Sequence, residues 1–290
     1  MGDLVTIASK DLTAAINPFG AELTHLRDSA GRELMTDADP AYWTGHAPLL
    51  FPIIGALAGD AYRLGEQRYA MPKHGFARHM MFETVEASAA RAVFRLSDTD
   101  ETRAVYPFSF VLDMAFVVDG PSLTLAAQIT NMGTGDMPGS FGFHPAFAWP
   151  LPYGRARADH RIDFAKDEPG ALKRLDGAGL ILPGERASPL DGRTLHLADD
   201  LFTDDALIWD PIESDRVRYW AGEGPALDLA FDGTMLGVWT KPGAHYVCIE
   251  PWHGIADPVG FDGDIWDKPG IMAFRPGEPR QFAMSITLTV

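Results

Sequence analysis

Basic residues are scarce in this chain. Lys and Arg number 24 against 40 Asp and Glu, a formal net charge of −16 over 290 residues. Such a surface repels phosphate backbones and anionic lipid headgroups, so nucleic acid and membrane surfaces are excluded as general partners. Cysteine is scarcer still. Cys248 stands alone, so no disulfide closes within the chain and no thiolate cluster holds a metal. Its apolar flank, "HYVCI", marks it as a small buried hydrophobe. Long apolar runs are missing, so no segment reaches membrane-span length. The opening "MGDLVTIASK" lacks the basic and apolar regions of a secretory signal. "MGDLVT" meets a loose Gly2 myristoylation pattern. One acyl chain anchors weakly, though, and no basic patch follows it, so we read the match as chance. These absences predict a soluble cytoplasmic protein.

Convincing helical periodicity is also rare, and what replaces it is alternation. "SLTLAAQIT" puts Leu123, Leu125, Ala127 and Ile129 on one face, and "QFAMSITLTV" does the same with Phe282, Met284, Ile286 and Leu288. Period two with one polar face is the mark of half-buried antiparallel strands. "LVTIA", "ELTHL", "ARAVFRLS", "FSFVLDMAFVVD", "RVRYW", "ALDLAF" and "MLGVWT" read the same way, punctuated by Gly, Pro, Asn and Asp. Residues 155–200 are irregular and rich in Pro, Gly and charge, and read as a long excursion with short elements, forming a lid or rim. No repeat or linker divides the chain. The expectation is all-β: one domain over residues 1–290, a large antiparallel β-sandwich with few short helices.

Four segments place reactive side chains among aromatics, Gly and Pro, at borders between strand-like runs and turns. "PKHGFARHM" carries His74 and Arg78. "GSFGFHPAFAWPL" carries His144. "LFTDDALIWD" carries Asp204 and Asp205. "CIEPWHGIAD" carries Glu250, Trp252 and His253, with Pro251 expected to end the strand behind Glu250. Each has a structural alternative: a core histidine, a turn residue, a solvated loop charge (the preferred reading for Asp204) or a core aromatic. An ionised carboxylate such as Glu250 is not carried out of an apolar run without partners or purpose. No zinc-helix spacing, G-x-S-x-G elbow, P-loop or G-x-G-x-x-G fingerprint occurs. What remains is acid–base chemistry by histidine and carboxylate, with no metal and no cofactor. Aromatic rings nearby suit the apolar faces of a sugar.

"LLFPIIGALAGDAYRLGEQRYAMPKHGFAR", "GFHPAFAWPL", "LFTDDALI" and "CIEPWHGIAD", in this order, resemble the aldose 1-epimerase (galactose mutarotase-like) family, nearest its LacX-like bacterial branch. The resemblance implies a galactose mutarotase-like supersandwich with an open cleft on one sheet. It implies a monosaccharide partner and interconversion of α and β anomers of a free aldose. Carried over by motif, Glu250 is the general base at the anomeric hydroxyl and His144 the general acid at the ring oxygen. His74, Asp205, Arg78 and Trp252 bind the substrate. Glu250 and His144 are expected in one cleft, with a pyranose ring's room between them.

One departure from the family pattern concerns an arginine that contacts the sugar. Here "FPIIGALAGD" has Ala56 in its place, so Arg63 or Arg78 is expected to supply the cation, or the sugar preference has shifted. Three rival readings follow: a non-catalytic sugar binder on the same scaffold, a hexose 6-phosphate mutarotase with Arg78 on the phosphate, and a glycosidase using Glu250 and Asp205. The oligomeric state is left open.

Overall fold

The computed structural model describes residues 3–168 and 170–290, so the Gly2 pattern lies outside the described residues. The two alternating runs fall in the strands Ser122–Asn131 and Pro279–Thr289. They pair antiparallel, Leu125 against Met284 and Ala127 against Phe282. A slip of one residue would turn every one of these side chains to the opposite face, so core burial fixes the register. They sit in the middle of a nine-stranded antiparallel sheet. On one side it continues through Ala226–Phe231, Arg216–Trp220, Arg161–Phe164 and Thr194–His196. On the other it continues through Phe110–Asp119, Arg91–Ser97 and Glu83–Ala87.

A second, six-stranded sheet is built from shorter pieces. Its order is Leu207–Trp209, Met235–Trp239, Tyr246–His253, Phe141–Phe143 and Leu49–Leu50, with Ala146–Ala148 also paired to Tyr246–His253. One buried apolar cluster joins the two sheets: Leu125, Ile129, Phe282 and Met284 from the wide one, and Leu236, Val238, Val247 and Ile249 from the narrow one. Burying each such side chain is worth about 1.5–3 kcal/mol. The result is the expected antiparallel sandwich. Among the described residues the one α-helix is Asp100–Val105, started by a reciprocal Thr99–Thr102 capping box.

One expectation is corrected. Pro251 does not end its strand, which runs on to His253. Ile249 donates its N–H to Pro145 O. Backbone groups two residues apart on a strand point the same way, so Pro251 also turns its missing N–H toward this neighbour. By the register Pro251 faces Phe143, the last residue before the neighbour's interruption, so the bond it cannot donate falls at the end of that short strand. The 155–200 stretch holds the short elements expected of it. Its flanks are the strands Arg161–Phe164 and Thr194–His196. Between them Leu172 bridges Arg186 and Leu175 bridges Ile181 as a hairpin, tied to the narrow sheet by Lys173 to Ile208 and to the loop behind by Ile181 to Pro258.

Candidate active site

The strand Tyr246–His253 is central in the narrow sheet and buried on both faces, which hides its period-two pattern in the sequence. Val247 and Ile249 enter the core. Tyr246, Cys248, Glu250 and Trp252 therefore share the opposite face. Register carries that face across the sheet: Gly237 stands opposite Glu250, Trp239 opposite Cys248, and Ile208 opposite Gly237. On the other side Phe141 pairs with His253 and Ala146 with Cys248, one register kept across the interruption. His144 consequently stands directly opposite Glu250. Glu250 is carried out of the core by alternation, and it meets a histidine there.

The contact is close. His144 Nε2 lies 3.2 Å from Glu250 Oε2, so the expected ring's width between them is not present. Their alignment is not that of a hydrogen bond: Glu250 Oε2 and His144 Nδ1 are both buried without a hydrogen-bond partner. Burial pushes the Glu250 carboxyl well above its ordinary range; the Lys73 cation opposes this and Asp205 reinforces it. Burial, with smaller contributions from Arg78 and Lys73 against an opposing backbone hydrogen bond, lowers His144 to about 3. Both groups are thus held toward their neutral forms. The His144 ring lies 5.0 Å from that of Trp43 and 5.7 Å from that of His74.

His74 arrives on a turn. Its φ is +68°, and Gly75 follows at +73°. A Cβ on Gly75 would lie 2.2 Å from Phe51 O, so only glycine lets this turn sit backbone against backbone on the Phe51–Pro52 segment. His74 Nδ1 accepts from Gly55 N–H at 3.1 Å, and His74 N–H donates to Gly55 O at 2.9 Å. Acceptance at Nδ1 fixes the proton on Nε2, which makes the free side of the ring a donor. Burial, then His144, Lys73 and Arg78, hold the ring well below its usual pKa and neutral.

All six predicted site residues line one cavity of about 200 Å³: Glu250, His144, His74, Asp205, Arg78 and Trp252. Arg78 sits on a 3-10 turn, donates from Nη2 to Lys73 O at 2.8 Å, and keeps its Nε buried without a partner. Asp205, at φ +68°, accepts at 2.7 Å from Ala206 N–H. Trp252 is seated against glycine: a Cβ on Gly237 would lie 2.6 Å from its ring, and one on Gly142 2.7 Å.

The sequence analysis did not single out three further lining residues, Trp43, Trp239 and Lys73. The only sequence signals for them were the place of Trp239 in the strand-like run "MLGVWT" and that of Lys73 beside His74. Other expectations are redistributed. Arg63 lines a separate hollow with Arg68 and Lys268 and does not replace the missing arginine. Ala56 is buried and outside the cavity lining, with Gly179 of the 172–186 hairpin close against it: a Cβ on Gly179 would meet Ala56 Cβ at 3.4 Å and Lys73 Nζ at 3.5 Å. The cations at the cavity are Lys73 and Arg78. His253, on the core-side parity of its strand, turns to Asp232 at 3.1 Å. Asp204 is exposed and lines an outer groove.

His144, Cys248 and Glu250 each bring one potential ligand atom within 4.8 Å of the others. Burial, then Glu250, push the Cys248 thiol well up, which disfavours the thiolate a metal would require. No helix among the described residues is long and apolar enough to cross a membrane.

Comparison with known proteins gives a consistent result. The sequence model of the aldose 1-epimerase family matches residues 3–185. The plasmid-encoded protein LacX of Lactococcus lactis subsp. lactis is 30% identical over 295 residues, covering 98% of this chain and 99% of that protein. A galactose mutarotase related enzyme from Lactobacillus acidophilus superposes with a TM-score of 0.92 at 30% identity, over 99% of this chain and 97% of that one. A galactose mutarotase-like protein from Lactobacillus casei ATCC 334 gives 0.89 at 28% identity, over 99% and 100%.

Proposed function

We propose that this chain, which belongs to the aldose 1-epimerase family, interconverts the α and β anomers of a free aldose. One observation carries the reading: the cross-strand pair His144 and Glu250, in contact at 3.2 Å, buried, and with Glu250 Oε2 and His144 Nδ1 unpartnered in a sugar-sized cavity. Buried polar atoms without partners call for an explanation, and a bound substrate is one.

The closeness suits the chemistry. The anomeric hydroxyl and the ring oxygen are both bonded to C1, so the base and the acid serve neighbouring oxygens and need no ring's width between them. The resting pair holds one proton, on Glu250; shifted to His144 Nε2 across the 3.2 Å contact, it leaves a carboxylate that takes the proton of the anomeric hydroxyl. The C1–O1 bond gains double-bond character while the C1–ring oxygen bond breaks, and His144 delivers a proton to that oxygen. Rotation about C1–C2 presents the other face of the aldehyde. The same protons return along the same path on reclosure, so the cycle is balanced and no redox partner enters. His74 donates from Nε2 near the ring oxygen. Asp205 accepts from hydroxyls at the far end, and the Trp252 and Trp43 rings cover apolar sugar faces.

The test is polarimetry on freshly dissolved α-D-glucose and α-D-galactose, with spontaneous mutarotation subtracted. Decay accelerated in proportion to protein, and lost in Glu250→Gln, supports the reading. Decay at the buffer rate with either sugar and any common aldose removes it and leaves a sugar binder.

A second reading has its own observation. Among the described residues neither Lys73 nor Arg78 pairs with a carboxylate within 4.0 Å, although the chain is acidic. Two free cations at one cavity favour an aldose bearing an anionic group, such as a hexose 6-phosphate. A kcat/KM for glucose 6-phosphate well above that for glucose, abolished by Lys73→Met, selects this reading; equal values reject it.

A further inference from the structure

Apart from the catalytic cavity, a hollow of about 140 Å³ lies between the hairpin of Ala61–Leu64 and Gln67–Ala70 and residues 257–268. The two spaces share no lining residue. We propose that this hollow is a second binding site, for a phosphate group, either free or esterified to a small molecule. The proposal does not depend on the anomer-interconversion reading.

The first observation is on the hairpin. Arg63 and Arg68 are direct cross-strand partners, and both line the hollow. Like charges placed opposite each other destabilise a strand pair. Nothing in the chain offsets this. Among the described residues no carboxylate lies within 4.0 Å of either guanidinium, and neither side chain makes a hydrogen bond. Carboxylates are not in short supply, with 40 Asp and Glu against 24 Lys and Arg. A Cβ on Gly59 would lie 2.9 Å from Arg68 Nη2, so this guanidinium packs onto the backbone of the 58–60 turn.

The second observation is Lys268, whose side chain also lines the hollow. It is 1% exposed and pairs at 2.7 Å with Asp257, itself 3% exposed. Both oxygens of Asp257 are engaged: Oδ1 by Lys268, and Oδ2 by Ala58 N–H at 2.9 Å. An ammonium carries three donors. Among the described residues Lys268 Nζ uses one. A buried cation with spare donors calls for a further acceptor. The other carboxylate of the lining, Asp262, is exposed. Three cations thus meet two carboxylates, one of them already paired.

Phosphate answers both observations. Its two negative charges match the two unpaired guanidiniums. Its tetrahedral oxygens serve two guanidinium forks at once, where a carboxylate fills one. The volume falls below the roughly 300–1,000 Å³ of sites that hold drug-sized ligands. It admits the anionic head and leaves the rest of an ester outside.

The experiment is calorimetric titration with inorganic phosphate, glycerol 3-phosphate and acetate at low ionic strength, where exposed charges are least screened. Wild type is compared with Arg63→Gln, Arg68→Gln and Lys73→Met, the last removing a cation of the catalytic cavity. Both arginines are exposed, so their variants keep the fold. The expected result is saturable binding of phosphate in wild type, weakened roughly tenfold or more in each arginine variant and retained in Lys73→Met. Phosphate should also raise the melting temperature of wild type more than that of either arginine variant. Glycerol 3-phosphate bound more tightly than inorganic phosphate assigns the site to an ester; the reverse assigns it to the free ion. The proposal is overturned by no saturable phosphate binding, by wild-type affinity in both arginine variants, or by acetate bound as tightly as phosphate. Binding that vanishes in Lys73→Met also overturns it, because the anion then sits in the catalytic cavity.

Discussion

Glu250 shows how far a single residue could be read. Its setting announced a carboxylate carried out of an apolar run, and the motifs named His144 as its counterpart. The distance between them was not legible, because it depends on a cross-strand register joined across the break at His144 and Pro145. Replacing either group, as Glu250→Gln or His144→Ala, is expected to lower anomer interconversion by roughly 10²–10⁴-fold, the usual worth of a positioned acid or base; stopped-flow polarimetry checks this. Glu250 must be ionised to act as a base, and burial raises its pKa above the ordinary 4.5. His144 must carry a proton at the same time, so the active pair holds one proton in all, and the kcat/KM profile should fall as pH rises through the raised Glu250 value and as pH drops through about 3; a profile with no fall at its alkaline end contradicts the roles. Stability moves in the same direction. A raised carboxyl pKa costs nothing below the unfolded value and penalises the fold progressively as pH rises toward the folded value. Glu250→Gln should therefore melt higher than wild type at about pH 8 and the same at about pH 4. Ala56 is the residue the sequence misled on. It lies under Gly179, outside the lining, so Ala56→Arg is expected to overpack the site and cost about 1–3 kcal/mol of stability by denaturant titration, without raising turnover of neutral hexoses.

At the scale of elements, the legible strands were those of the wide sheet, where one face is buried and alternation survives. "RVRYW" and "ALDLAF" coincide with Arg216–Trp220 and Ala226–Phe231. The strands that carry the site were mostly hidden. Phe141–Phe143, Ala146–Ala148, Leu49–Leu50 and Leu207–Trp209 are two or three residues long and buried nearly throughout, so they show neither alternation nor a usable length. Gly142 in the first of them and Gly237 in Met235–Trp239 look like turn punctuation and are in fact clearance for the Trp252 ring. Gly237→Ala would place a Cβ 2.6 Å from that ring and push it into the cavity. The expected result is a rise in KM by tenfold or more with a loss of roughly 1–3 kcal/mol in stability. Unchanged steady-state kinetics would mean that the ring has slack and that Trp252 does not shape the cavity.

On the scale of the whole molecule, class and architecture were legible because strand alternation and the lack of helical periodicity agree across the chain. The convergence of the candidate residues was legible only through family motifs, since contacts between residues 74, 144, 205 and 250 have no local signature. One apolar cluster extends from Ile7 to Leu288. A single cooperative unfolding transition is expected, and two separated calorimetric transitions would contradict the one-domain reading. Acid lability should come partly from buried histidines. His74, His144 and His160 all have pKa values lowered from 6.5 by burial, His144 to about 3. Above 6.5 they cost nothing; as pH falls below it, the unfolded chain takes up protons that the folded one refuses, and stability is lost. The central claim is that Glu250 and His144 move protons at one anomeric carbon. It is tested most directly by two-dimensional exchange NMR on an equilibrated hexose, which reports α–β interconversion with no net reaction. The account predicts exchange cross-peaks that grow with wild-type protein and return to the buffer level in Glu250→Gln. Equal exchange in the two proteins, or none above buffer in wild type for any aldose or aldose phosphate, would contradict it.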